Sequence, residues 1–265
     1  MKRSVVMAAA LAMSTLAAAQ GTEIKVLAAG SLRAALTDVA RAWEAASPGR
    51  KVVLGFGASG LLKDRLVGGE RADVFASANM EHPQALAAAG KAAPPQAFAS
   101  NRLCALGSPR FEATPDTLVA RLLDPAVRLG TSTPKADPAG DYTWVMFERI
   151  EKSGRAGAFK VLGDKALQLT GGPNSPPPPA DRNVYGALMA AGAADVFITY
   201  CTNVVIAQRE EPTLKRIDVP AEVNVSASYG VTVLQGAPEE AKQFVQFLLS
   251  APGHSVLARH GFAAP

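Results

Sequence analysis

The chain has 265 residues, 48% of them hydrophobic, enough for one large domain or two smaller ones with real cores. Its formal net charge is +4, with 19% charged residues. The Lys and Arg are scattered, and no basic run is interleaved with aromatics, which argues against a nucleic-acid partner. Three histidines (His82, His254, His260) and two cysteines (Cys104, Cys201), with no HExxH and no CxxC, leave bound zinc and a histidine-dependent triad unsupported.

The first twenty residues, MKRSVVMAAALAMSTLAAAQ, join a basic start to an uncharged, alanine-rich stretch ending in three alanines. That is the pattern of a secretory signal peptide over residues 1–19, cleaved after Ala19 and directing the chain to the periplasm. The stretch is short for a membrane anchor, and nothing later is long and apolar enough to span a bilayer. Loss of Lys2 and Arg3 takes the charge to about +2. In an oxidising compartment Cys104 and Cys201 can pair as a disulfide or stay as two buried thiols on separate strands, and the residues leave both open.

Ile24 to Ala28 reads as a buried strand. Leu32, Ala35, Leu36, Val39, Ala40 and Trp43 then recur at helical spacing. KVVLGF is a second strand, Leu61 to Leu66 lies on a second helix, and ADVFASA is a third strand followed by an alanine-rich helix ending near Gly90. NRLCALGSP and AVRLGTSTP are strands. ADPAGDYTWVMFERIEKSG becomes a helix with Trp144, Phe147 and Ile150 on one face. GGPNSPPPPADR is too rich in proline for a helix or central strand and reads as a stiff, extended spacer. NVYGALMAAG is a helix, ADVFITYCT and VSASYGVTVLQG are strands, and two closing helices are separated by Pro252.

Strands alternating with helices give a mostly parallel sheet covered on both faces, and two such sets give two α/β lobes. The first lobe takes residues 20–102 plus 229–265 and the second takes residues 103–228. The chain crosses near Ser100 to Cys104 and returns near Ser226 to Gly230.

Two junctions repeat a pattern. VLAAGSLRAAL and VVLGFGASGLLKDRL each run from an apolar strand through glycine and serine into a helix. Ligands of parallel α/β sheets sit beyond the carboxyl ends of the strands, where helix N-termini offer unpaired N–H groups. Ser31 and Ser59 therefore read either as N-caps or as hydroxyl donors to one shared anion.

AAGSLRAAL, GFGASGLLKDRLVGGERADVFASA, DPAGDYTW, DRNVYGALMAAGAADVFITY and LLSAPGHSVLARHGF, in this order from about residue 24 to 262, resemble the periplasmic molybdate-binding proteins of ABC importers. The resemblance implies a type II periplasmic-binding-protein fold that closes by a hinge on a tetrahedral oxyanion, molybdate or tungstate. It implies no cofactor, no catalysis, a membrane permease as partner, and a monomer. It also carries over the donors: the hydroxyls of Ser31 and Ser59, the backbone N–H groups of Ala139 and Val184, and the phenol of Tyr200.

Neutral donors suit a dianion that carries no proton, each charge-assisted bond contributing about 1.5–3 kcal/mol. An anion that keeps a proton needs an acceptor, and without one it is rejected. Sulfate must then be excluded by cavity size. Asp141 beside the DPAG turn, Asp181 and Arg182 beside the proline loop, the length of that loop, and YCTN after the tyrosine depart from the family pattern and bear on which anion fits. A change of ligand to sulfate, another oxyanion or a small organic acid stays open on the same fold. An exported α/β hydrolase with Ser31 or Cys201 as nucleophile has little behind it, since residues 57–61 read GASGL and GxSxG is absent.

Overall fold

Strand β1 (Thr22–Ala29) is apolar because both of its faces are covered, and its last four residues are all buried. The computed structural model describes residues 22–179 and 182–265, so the signal-peptide reading of residues 1–19 and Asp181 lie outside the described residues. A single 3-10 turn (Gly30–Leu32) leads into α1 (Arg33–Ala46). Every apolar position expected on that helix, Leu32 through Trp43, is buried against the sheet. Strand β2 (Arg50–Gly57), α2 (Ser59–Val67), β3 (Val74–Ser77) and α3 (Glu81–Ala88) follow, with β2 and β3 both parallel to β1.

Strand β4 (Gln96–Gly107) is the longest strand and belongs to both halves of the molecule. From Gln96 to Arg102 it pairs antiparallel with β9 (Ser226–Val233), which itself pairs antiparallel with β3. From Leu103 to Gly107 it pairs antiparallel with β7 (Val196–Tyr200), and on its other edge with β8 (Lys215–Asp218). Beyond β7 the pairing is again parallel, through β5 (Leu129–Ser132) to β6 (Leu167–Thr170). The strand order is β2-β1-β3-β9-β4-β7-β5-β6. Each lobe thus keeps the parallel strands expected of it at its outer edge, while the strands that pass between the lobes run antiparallel to their neighbours.

The second lobe is covered by α4 (Pro115–Leu123), α5 (Pro138–Lys152), α6 (Ala158–Lys165), α7 (Val184–Ala190) and α8 (Cys201–Glu210). On α5, Met146, Phe147 and Ile150 are buried and Trp144 packs at 5.2 Å from Phe147. The chain closes with α9 (Glu239–Leu248) and α10 (Ala251–Arg259), which cover α1 and the first sheet. Pro252 sits in the first turn of α10, where its missing N–H costs nothing, and Ser250 caps that turn through Gly253 N–H at 3.4 Å. Among the described residues no helix is long and apolar enough to cross a membrane.

The two cysteines form a disulfide that joins β4 to the start of α8, with Cα atoms 4.8 Å apart and 97 positions between them in sequence. It ties the end of β7, and so Tyr200, to the shared strand. A loop of this size restricts the unfolded chain by about 4–5 kcal/mol in the entropy model. Replacing both cysteines with serine is therefore expected to lower the unfolding free energy by about 2–5 kcal/mol in a denaturant titration while the far-ultraviolet circular dichroism spectrum stays native.

Candidate functional site

A cavity of about 610 Å³ opens between the lobes at the carboxyl ends of β1, β2 and β7, the place a parallel sheet reserves for ligands. Ser31, Ser59, Val184 and Tyr200 all line it. Ala139 does not. It is fully buried in the first turn of α5, and its N–H donates to Asp137 Oδ1 at 3.0 Å.

Neither serine caps a helix. The N-cap of α1 is Leu32 and that of α2 is Ala58, and no side chain caps either helix. Ser59 Oγ instead accepts from Ala78 N–H at 3.1 Å, so its own proton is free to point elsewhere. Ser31 Oγ lies 3.0 Å from Tyr229 Oη. Asn101 supports that bond. Its Oδ1 accepts from Arg102 N–H at 2.9 Å, which turns Nδ2 toward Thr202 Oγ1 at 2.9 Å and Tyr229 Oη at 3.5 Å. The Tyr229 phenol accepts from Asn101 and shares a hydrogen bond with Ser31, so Asn101 and Tyr229 together hold the Ser31 hydroxyl at the cavity wall. Burial pushes the Tyr229 and Tyr200 phenols well above their usual range, so both stay protonated donors. At the start of α7, Asn183 Oδ1 accepts the N–H groups of Tyr185 at 3.1 Å and Gly186 at 3.0 Å. That places the N–H of Val184, the first helical residue, at the cavity wall.

The half-buried carboxylate in the cavity wall is Asp137, where the sequence had pointed to Asp141. Asp141 does not line the cavity. It accepts Lys135 N–H at 2.6 Å and holds Lys135 in a left-handed turn, φ 67°. Asp137 is the N-cap of α5 and is enclosed beneath Gly171, whose φ is 79° and where an added Cβ would lie 2.5 Å from Asp137 Oδ2. Burial pushes its carboxyl up to about 6 against the bonds from Ala139 and Ser132. The argument that a protonated anion finds no acceptor therefore does not hold here: an acceptor lies in the cavity wall.

Arg182 also lines the cavity, already ion-paired with Glu211. Arg33 lies with its guanidinium 4.7 Å from the centre of the Phe56 ring, and Arg65 pairs with Glu70. Pro176 to Pro179 and Pro173 form one wall, so the proline loop is part of the cavity rather than a spacer. Cys201, weighed above as a nucleophile, is bound in the disulfide.

The lobes touch along one side of the cavity. Gly60 N–H on α2 donates across the gap to Ala136 carbonyl at 2.8 Å, and Tyr200 Oη lies 3.5 Å from Ala78 carbonyl. A Cβ on Gly60 would come within 2.6 Å of the carbonyls of both Lys135 and Ala136.

Two α/β lobes facing each other across a cavity lined by hydroxyls and a helix start have the architecture of a solute-binding protein. The family model of bacterial extracellular solute-binding proteins matches residues 24–263, and the chain belongs to that family, whose members hand their ligands to membrane permeases of ABC importers. It is 38% identical over 230 residues to an uncharacterised protein of Pasteurella multocida, covering 85% of this chain and 92% of that one. It is 29% identical over 248 residues to the molybdate-binding protein ModA of Mycobacterium tuberculosis, covering 91% and 85%. The sulfate-binding protein SubI of Mycobacterium tuberculosis superposes with a TM-score of 0.77 at 17% identity, covering 92% and 87%. The chain is thus ModA-like in family and shares its fold with a sulfate binder.

Gly60→Ala is expected to push the lobes apart, and a larger radius of gyration than the parent protein in small-angle scattering checks it. The raised Asp137 carboxyl favours the fold when protonated. Its contribution is full below about pH 4 and is lost as pH rises through about 6. Between pH 4 and pH 7 the parent protein is expected to lose on the order of 1–3 kcal/mol of unfolding free energy relative to Asp137→Asn, read from urea melts at the two pH values.

Proposed function

We propose that this protein captures molybdate, and tungstate with it, in the periplasm and delivers it as a monomer to the permease of an ABC importer. Residues 1–19 are its export signal, and the lobes divide at residues 20–102 plus 229–265 and 103–228. The change of β4's partner between Arg102 and Leu103 supports that division. The observation that carries the reading is the pair of serines, which line one cavity from two successive strand–helix junctions and are held there by Tyr229 and by Ala78 N–H. Donors fixed in this way need no reorganisation when a dianion arrives. Tyr200 and the N–H of Val184 belong to the same set, and Ala139 contributes through the turn that Asp137 caps. The likeness to the mycobacterial molybdate-binding protein supports the choice of anion.

A second reading keeps the oxyanion end and lengthens the ligand. Beyond the serines the cavity continues past Phe56, Leu61, Ile206 and the proline wall, space that a bare tetrahedral anion leaves unfilled. A small organic acid or organic oxyanion fits that observation.

Calorimetric titration of ligand-stripped mature protein separates the two. Tight binding of molybdate and tungstate with no heat from sulfate supports the first reading, and silence from all three removes it. Ser31→Ala and Ser59→Ala are each expected to weaken molybdate by about 1–3 kcal/mol. Tyr229→Phe is expected to cost less, and to cost nothing further when added to Ser31→Ala, since it acts through that hydroxyl.

A further inference from the structure

Asp137 is a half-buried carboxylate in the cavity wall, and among the described residues no Lys, Arg or His forms an ion pair with it. The groups around it are donors and an acid. Ser132 lies on β5, and Tyr185, Tyr200 and Tyr229 come from α7, β7 and β9. Asp141 is the nearest charge on its own helix. The other charged groups that line the cavity are Arg33 and Arg65 on the first lobe and Arg182 and Glu210 on the second. Arg65 and Arg182 are already engaged by Glu70 and Glu211.

One carboxyl oxygen, Oδ1, is committed to the cap of α5. The other, Oδ2, lies against the backbone of Gly171, Ser132 also donates to the carboxylate, and the residue lines the cavity. A dianion placed among the serines would meet that carboxylate in a medium of low dielectric, where two negative charges repel strongly and neither finds a counter-charge. A single proton removes the conflict and turns the same group into a donor.

We propose that the cavity binds its oxyanion together with one proton, held between the Asp137 carboxylate and the anion, so that Asp137 sets both the pH range of binding and the protonation state of the ligand that is accepted. The inference rests on the oxyanion reading. A dianion such as molybdate brings no proton at neutral pH and takes it from the solvent, forming the O–H bond on Asp137 and leaving the buffer base behind. The upward position of the free carboxyl agrees with this, because a group that titrates near 6 gives up little in accepting the proton.

The test is calorimetric titration of mature protein with sodium molybdate between about pH 6 and pH 9, in buffers of different ionisation heat, beside Asp137→Asn. Asparagine keeps the cap of α5 through its carbonyl oxygen and offers an N–H to the cavity without titrating. The parent protein is expected to lose affinity about tenfold per pH unit above pH 7 and to take up about one proton per anion. The variant is expected to show flat affinity, no proton uptake, and tighter binding than the parent at pH 8.5. Binding by the parent protein that is independent of pH, with no proton taken up, overturns the proton inference and leaves the oxyanion reading standing. Absence of molybdate, tungstate, sulfate and phosphate binding to both proteins across the whole pH range overturns the oxyanion reading, and the proton inference with it.

Discussion

One strand carries the molecule. Twelve residues of β4 pair with β9 in one lobe and with β7 and β8 in the other, so both sheets hang on a single stretch of backbone. The hydrogen-bond ladder forces the two lobes to face each other at the strand ends. The side chains at the crossing then settle what the cavity offers. Asn101, at the point where β4 changes partner, orders Tyr229 on β9 and Thr202 on α8, and through Tyr229 it orders Ser31. The disulfide from Cys104 holds the neighbouring Tyr200–Cys201 junction to the same strand. Phe98, Tyr229, Tyr200 and Phe262 stack edge to face around it, filling the space between the lobes with rings that cannot slide far.

The electrostatics of the cavity follow from what these anchors leave over. Anions are held by neutral donors when the donors are numerous and immobile, since each would otherwise have to be turned from water at a cost. The serines, the phenols and the first N–H of α7 are immobile for separate reasons: an occupied acceptor, burial, and a helix start. The carboxylate among them is equally fixed, because it caps α5 and is covered by Gly171. The cavity wall therefore combines neutral donors with a half-buried carboxylate.

Much of this was legible. The alternation of strands and helices, the apolar face from Leu32 to Trp43, and the two glycine-serine junctions follow from local periodicity and turn chemistry, which tertiary contacts then reinforced. The short elements were not legible. Strands β6 and β8 bury one residue each, so unlike the equally short but fully buried β3 and β5 they leave no apolar run in the sequence. Helix α8 starts directly from a strand with no turn residue, so the strand expected over ADVFITYCT ran on through Cys201 and Thr202, which are the first residues of the helix. Asp137 was missed because an aspartate before proline at a helix start is so ordinary a cap that its second oxygen drew no notice. Asp141 drew that notice instead, and its carboxylate is spent on the Lys135 turn.

The sequence by itself determined the class of fold, the export-like start, the serine junctions and the family resemblance, because each is written in neighbouring residues or in their order along the chain. Only the tertiary structure decided that Ser31 and Ser59 line one cavity, that the cysteines bond, that the proline loop walls the cavity, and which aspartate lines it. Those outcomes depend on groups brought together from Ser31, Asn101, Asp137, Cys201 and Tyr229, whose separation along the chain carries no local signal and whose meeting is fixed by the packing of two lobes on one shared strand.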